Sequence, residues 1–160
     1  MTALMDVRCG LAAETLVETP EGPMEIRKVA GKAIPVFTRD ATGRVRFRMM
    51  RDVQMVATAP VLRLRLENGA WFRAVPSQGV FLASLECVAL RDLQPGTVLC
   101  AAFHYPAGYR YRTDSGEERL SVAGWQVAAV EADGEAEVFS LHVEPEQCFF
   151  VSAGVLLQSA

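Results

Sequence analysis

Two runs of strict alternation constrain the fold of this chain most. In Arg44-Val45-Arg46-Phe47-Arg48-Met49 and in Val61-Leu62-Arg63-Leu64-Arg65-Leu66, apolar residues occupy every second position. A period of two puts Val45, Phe47 and Met49 on one face of an extended segment, and Leu62, Leu64 and Leu66 on one face of another. Each reads as a half-buried antiparallel strand, wet on the arginine side. Glu67-Asn68-Gly69 follows the second run and reads as a hairpin turn, with Asn-Gly supplying positive φ. Residues 70–74 then return as the partner strand.

The rest of the chain reads the same way. Strands are predicted over residues 15–19 and 34–38, the first closed by the turn Pro20-Glu21-Gly22-Pro23 and the second by Arg39-Asp40-Ala41-Thr42-Gly43. Residues 87–90 lead into the turn Arg91-Asp92-Leu93-Gln94-Pro95-Gly96, and a strand follows over 97–103. Further strands are predicted over 122–130, 137–143, 149–151 and 155–157. Residues 104–120 carry Tyr, Arg, Gly, Asp and Ser without a period and read as a loop. No helix longer than two turns is predicted, and no repeat of fixed period is visible. Many short strands separated by turns mean an all-β fold.

At 160 residues the chain suits a single domain with a core of its own. With 51% apolar and 22% charged residues it reads as a globular protein. The net charge of -3 and pI near 5.4 argue against a nucleic-acid or membrane partner, both of which favour basic surfaces. No run reaches the roughly 18 apolar residues of a spanning helix. Asp6 and Arg8 interrupt the N-terminus, so no secretory signal is read there, and a cytoplasmic setting with reduced thiols is the expectation. Cys9, Cys87, Cys100 and Cys148 are irregularly spaced with no Cys-x-x-Cys pair. No metal site and no cofactor are expected.

Cys9 opens the stretch Cys9-Gly10-Leu11-Ala12-Ala13-Glu14-Thr15-Leu16-Val17, which runs into Pro20-Glu21-Gly22-Pro23 and Glu25-Ile26-Arg27-Lys28-Val29. Phe72-Arg73-Ala74-Val75-Pro76-Ser77-Gln78-Gly79-Val80-Phe81 forms a second block, and Ala89-Leu90-Arg91-Asp92-Leu93-Gln94-Pro95-Gly96-Thr97-Val98 a third. The segment from Val138-Phe139-Ser140-Leu141-His142-Val143-Glu144 to Phe149-Phe150-Val151-Ser152-Ala153-Gly154-Val155-Leu156-Leu157-Gln158-Ser159 closes the chain. In this order the four blocks resemble a Hint (hedgehog/intein) domain, in the form of a minimal bacterial intein-like domain. The resemblance covers residues 9–159, with 1–8 and 160 as flanks, and residues 104–120 stand where larger inteins insert an endonuclease. It implies a Hint-type horseshoe of two pseudo-symmetric β subdomains, with both chain ends at one central cleft.

The resemblance also implies a chemistry. In inteins the first Cys attacks the carbonyl of the preceding residue, a second-block Thr and His strain that amide, and the His protonates the departing nitrogen. A terminal Asn then cyclises, helped by a penultimate His and a closing-block His. By this alignment Cys9 is the nucleophile, Ala74 stands for the Thr, Gln78 for its His, Gln147 for the closing-block His, Gln158 for the penultimate His and Ser159 for the Asn. Glutamine keeps hydrogen-bonding reach but does not titrate. Losing one acid–base group forfeits about 10²–10⁴ in rate, so the loss of three is expected to silence splicing. An alternative alignment makes Gln158 the cyclising amide and Ser159 the downstream nucleophile. The spacing around Cys9 is also open. Family members place Thr five residues after the nucleophile and Thr15 lies six after Cys9, so Gly10 is either inserted or occupies the nucleophile slot.

Cys9 is therefore either an active nucleophile or a vestigial thiol. His142 is either structural or a substitute general acid. His104 reads as a surface residue, Trp71 and Trp125 as packing residues, and no Cys–His hydrolase pair can be assembled from spacing. Two functions follow. One is a degenerate, stand-alone module that binds or scaffolds a protein partner. The other is a single-turnover autoprocessing domain acting on its own flanking polypeptide through Cys9.

Overall fold

The structure is a computed structural model that describes residues 9–101, 110–112, 116–120 and 124–160. The expected flank at residues 1–8 and His104 lie outside the described residues. In chain order the strands are β1 (Leu11–Ala12), β2 (Leu16–Thr19), β3 (Gly22–Glu25), β4 (Ile34–Arg39), β5 (Val45–Leu66), β6 (Trp71–Ala74) and β7 (Gly79–Phe81). They continue as β8 (Cys87–Ala89), β9 (Val98–Leu99), β10 (Arg110–Arg112), β11 (Glu118–Leu120), β12 (Trp125–Val143), β13 (Cys148–Phe150) and β14 (Leu156–Gln158). Single 3₁₀ turns occupy Ile26–Val29 and Leu90–Asp92. The architecture is all-β, as the alternation predicts, and among the described residues no helix is long and apolar enough to cross a membrane.

The frame is the antiparallel pair of β5 and β12, each one long strand where the sequence pattern predicts two. β5 joins the two alternating runs through residues 50–60, and β12 joins the predicted strands at 122–130 and 137–143. They stay paired by bending: the register slips at four points between Val127 and His142, and Asp52 (φ 53°) and Gly134 (φ 71°) take the left-handed region. Such slips are β-bulges, which turn a long strand without breaking its pairing. The larger sheet runs β4-β5-β6-β1-β12-β9, with β5 also pairing β12. A second, four-stranded sheet runs β13-β14-β7-β8.

The hairpins follow their turn residues. Thr19 pairs with Gly22, so the loop is only Pro20-Glu21, and Gly22 at φ 106° belongs to β3 rather than to the longer predicted turn. Thr19 Oγ1 accepts from Glu21 N at 3.1 Å and donates to Gly22 O at 2.7 Å, which closes the turn. The Asn68-Gly69 turn forms as predicted, with Gly69 at φ 90° and Asn68 Oδ1 accepting from Ala70 N at 2.9 Å. Residues 104–120, which the sequence predicts as a loop, pair in their described parts as β10 and β11, Arg110 opposite Leu120 and Arg112 opposite Glu118.

The alternation of the second run holds in its latter part, where Leu64 and Leu66 are fully buried and Arg65 is exposed; at its start Leu62 is half-buried and Val61, on the other face, is fully buried. The first run is different. Val45, Phe47 and Met49 are exposed, at 39%, 52% and 39%. Its pattern marks a strand, but the β4–β5 hairpin turns its other face inward, where Val36 and Thr38 are fully buried and Arg48 meets Glu146 at 2.8 Å. Phe47 packs on Phe37 with ring centroids 4.6 Å apart. Trp71 is half-exposed beneath the Arg63 guanidinium, 4.4 Å from its centroid, and Trp125 is partly buried against the core. The core gathers Leu11, Met50 and Leu99 from the larger sheet, Phe149 and Leu157 from the second, Val17 from the β2–β3 hairpin and Ile26 from the first 3₁₀ turn. At about 1.5–3 kcal/mol for each large side chain buried, this shared core holds the two sheets together.

Candidate functional site

Both ends of the described chain enter one narrow cleft. β1 is two residues long and is held on both sides: Leu11 faces Phe139 of β12 and Ala74 of β6. Gly10, just before it, accepts through its carbonyl from Val75 N at 3.0 Å. β14, at the other end, lies between β13 and β7, with Leu157 opposite Val80. The cleft between them is lined by Cys9, Gly10, Gln78, Ser140, Gln158 and Ser159 among others. Its open volume of about 10 Å³ has room for roughly one water and not for a small-molecule substrate.

Gln78 is the centre of this cleft and is 1% exposed. Its Oε1 accepts from Gly10 N at 2.8 Å, and its Nε2 donates to Gly79 O at 3.0 Å and to Gln158 O at 2.8 Å. The orientation of the carboxamide follows from its partners: a backbone N–H can only meet the oxygen, and two carbonyls can only meet the nitrogen. One buried amide therefore ties the start of the chain to its closing strand. Its own backbone is fixed by the turn from Val75 O to Gln78 N and by Leu90 N on Gln78 O, at 3.0 and 2.9 Å.

The thiols sit on the other side of Gln158. Its Oε1 lies 3.9 Å from Cys9 Sγ and 3.7 Å from Cys87 Sγ. Space for this comes from Gly79, where an added Cβ would stand 2.4 Å from Gln158 Oε1 and 2.8 Å from Cys87 Sγ. Cys87 is exposed as a residue, yet its sulfur is packed into this corner. That burial, and then the proximity of Cys9 and Cys148, push its thiol above the ordinary value. None of the four cysteines is disulfide-bonded.

The closing residues are clamped through their backbone. Ser159 N donates to Gln147 O at 2.9 Å, Ala160 N to Leu141 O at 3.0 Å, and Val143 N to Ser159 Oγ at 3.3 Å. His142 reaches the same segment: Nδ1 meets the Ala160 carbonyl oxygen and Nε2 meets Glu144 Oε1 at 2.8 Å. Both partners are acceptors. The Glu144 carboxylate first and the Ala160 carbonyl second hold the imidazolium, so the His142 pKa is raised.

The sequence candidates thus divide. Cys9, Gln78, Gln158 and Ser159 share the cleft, and His142 and Gln147 hold its floor from outside. Gln147 is exposed at φ 56° and contributes its carbonyl, not its side chain, to the hold on Ser159. Ala74 is fully buried as a strand partner of Leu11, and the residue whose N–H reaches Gly10 is Val75, one position on. Ser140 and Cys87 line or adjoin the cleft and were not singled out in the sequence. Cys87 carries no local signal, since nothing in its spacing from Cys9 foretells that β8 and β14 share a sheet. Cys148 faces away, bonded at Thr38 and packed with Cys100 in a second apolar cluster. Among the described residues no group of three His, Cys, Asp or Glu side chains is placed to hold a metal. A larger open groove of about 470 Å³, lined by Leu16, Trp71, Phe72, Arg73 and Ser152 among others, contains none of the sequence candidates.

Neither the protein-family models nor the curated proteins contain a match to the sequence. Solved structures do match the fold. A G-1F mutant of the Ssp DnaB mini-intein variant M86 superposes with a TM-score of 0.73 at 12% identity, covering 94% of this chain and 98% of that one. The DnaX mini intein from Spirulina platensis gives 0.70 at 11%, covering 94% and 99%. A bacterial intein-like domain from Clostridium thermocellum gives 0.66 at 18%, also covering 94% and 99%. With the ends of its described part at one cleft and this likeness spanning nearly its whole length, the chain has the all-β fold of Hint and intein-like domains.

Proposed function

We propose that this is a Hint-fold module that does not splice, and that it holds its two chain ends together to bind or present a protein partner. The observation that carries this reading is the Gln78 carboxamide, bonded at once to Gly10 N and Gln158 O. Its oxygen accepts from Gly10 N, so it cannot deliver a proton to that nitrogen. The register opposes cleavage as well. A Cys9 thiol attacking the preceding carbonyl through a five-membered ring would release the nitrogen of Cys9, while Gln78 holds the nitrogen of Gly10. This favours Gly10 as the occupant of the slot that the nucleophile fills in an intein. The substitutions at Gln147 and Gln158 remove the remaining titrating groups of the family pattern, and Ser159 has no amide to cyclise. A second reading keeps Cys9 as a slow nucleophile for N-terminal cleavage, because its sulfur lines the cleft.

Reporter proteins fused before Met1 and after Ala160 test both. The mass of the purified fusion is followed over days, with and without dithiothreitol. An intact fusion is expected. Release of the upstream reporter in the native sequence but not in Cys9→Ala would reverse the choice, and a ligated pair of reporters would defeat both readings.

A further inference from the structure

The outer edge of β6 is covered at one end only. Ala70 O accepts from Leu66 N at 2.8 Å on the β5 side, and Val75 N donates to Gly10 O at 3.0 Å on the other. In an antiparallel ladder successive residues direct N–H and C=O to opposite sides, so Phe72 and Ala74 face β5 while Trp71, Arg73 and Val75 face away. β1 meets that outward edge opposite Ala74. Thr15 Oγ1 caps the Arg73 carbonyl at 3.2 Å, and the chain turns off, with Thr15 N on Ala12 O at 2.9 Å. Trp71 lies beyond this cover. Among the described residues no strand or turn pairs with its N–H and C=O on the outward side. An open strand edge is a template for another extended backbone.

This edge opens into the groove of about 470 Å³. Leu16 and residues 151–153 form its far wall, which is fixed: Val17 pairs with Val151, and Ser152 N donates to Leu16 O at 2.8 Å. Leu16 and Trp71 are 42% and 46% exposed, so apolar surface is on offer at the rim. Ser152 Oγ is buried in this wall with no hydrogen-bond partner among the described residues, where a buried hydroxyl is ordinarily paired. The two charged residues of the lining offset each other, Arg73 Nη1 holding Glu14 Oε1 at 2.7 Å. The groove therefore presents a backbone donor and acceptor, apolar walls and one hydroxyl, without net charge. We propose that it binds an uncharged, extended peptide segment of a partner protein, added as a strand beside β6 and exchanging two backbone hydrogen bonds with Trp71. Apolar side chains at alternate positions of the peptide rest on Leu16 and Trp71, and a polar group of the peptide meets Ser152 Oγ. This deepens the reading of the module as one that binds a protein partner, and rests on it. The groove shares no lining residue with the Gln78 cleft, so reporter release and peptide binding fail separately.

The test uses the full chain, isotope-labelled for NMR, with the peptide acetyl-Thr-Val-Thr-Val-Thr-amide as probe. In the free chain the Trp71 amide should exchange its hydrogen at least about tenfold faster than those of Phe72 and Ala74, which are paired to β5. Saturating peptide should slow Trp71 exchange by about tenfold or more and shift the amide signals of Leu16 and Ser152. Two methylated probes then separate backbone pairing from side-chain contact. Methyl groups on the valine nitrogens alone, or on the threonine nitrogens alone, block one edge of the peptide at a time. One of these probes should bind at least about tenfold more weakly than the parent and the other about as well, since a lost hydrogen bond is of that size. Leu16→Glu, which sets a charge on the apolar rim, should weaken the parent peptide. The proposal is overturned if Trp71 is already protected in the free chain, whether at every chain concentration, with the groove filled from within, or increasingly with concentration, with a second copy in it. It is equally overturned if the peptide binds without slowing Trp71, if both methylated probes bind alike, or if millimolar peptide shifts nothing. Exchange and probe binding in the native sequence decide these outcomes even if the Leu16 variant fails to fold.

Discussion

Gln78 shows how much of a cleft one buried side chain can tie together. Its carboxamide satisfies a backbone donor and two backbone acceptors inside a cleft with room for roughly one water. Gln78→Leu keeps the volume but strands Gly10 N–H and the Gln158 carbonyl. A buried polar group without a partner costs about 1–3 kcal/mol, so the urea midpoint should fall by a corresponding amount with an unchanged slope. A midpoint within error of the native one would mean that these two groups find other partners. His142 makes a second test at this scale, through pH. Its folded pKa is raised by Glu144 and the Ala160 carbonyl; Asp52 adds a smaller pull in the same direction, and Arg51 is its cross-strand neighbour on β5. The stability it contributes is therefore fully present below the unfolded pKa of about 6.5 and is lost as pH rises through the raised folded value. Urea midpoints at pH 5.5 and pH 9 should converge in His142→Asn relative to the native chain. The glutamines were legible in sequence because they interrupt blocks that otherwise resemble the family. Cys87 was not, because only the pairing of β7 with both β8 and β14 brings it to Gln158.

At the level of elements, the alternating period identified strands more reliably than it identified their buried faces. Leu64 and Leu66 turn inward as the pattern implies, while Val45, Phe47 and Met49 turn outward. The difference is one of partners. Leu64 lies opposite Phe72 in the core-facing part of β5, whereas the β4–β5 hairpin places Val36 and Thr38 toward the second sheet and leaves its apolar row to solvent. Period two fixes which residues share a face, and only tertiary packing decides which face is covered. Nor does a period of two show that β5 and β12 continue through residues 50–60 and 131–136; Asp133-Gly134 lies in a register slip beside Pro60, where the two strands bend together. The join of β14 to β7 depends on a small residue. Gly79→Ala would set a methyl 2.7 Å from Gln158 Cβ and 2.8 Å from Cys87 Sγ, so one strand must move. Overpacking of this kind costs about 1–3 kcal/mol, read as a lower urea midpoint.

For the whole molecule, the fold delivers both ends of the described chain to one place, and the remaining question is whether that place can do chemistry. The frame of β5 and β12 fixes β1 against β6 and β12, and the second sheet fixes β14 beside it, so Gly10 and Gln158 share one amide without any flexible connection between them. What the chain lacks on this reading is register and a titrating group. These can be supplied separately. Gln78→His alone offers a proton donor, but to the nitrogen of Gly10, where no thiol attacks the preceding carbonyl; a fused upstream reporter should stay attached. Exchanging the two residues, Cys9→Gly with Gly10→Cys, moves the thiol to the residue whose amide faces position 78, yet leaves Gln78 unable to protonate it. Only the combination supplies both, and it should release the reporter in dithiothreitol at least about tenfold faster than either change alone, a modest part of the 10²–10⁴ that an acid–base group contributes. Mass spectrometry of the released fragment locates the cut, which should fall before residue 10. If Gln78→His alone releases the reporter at the bond before Cys9, the nucleophile slot belongs to Cys9, and protonation alone separates the proposed inert module from a cleaving one.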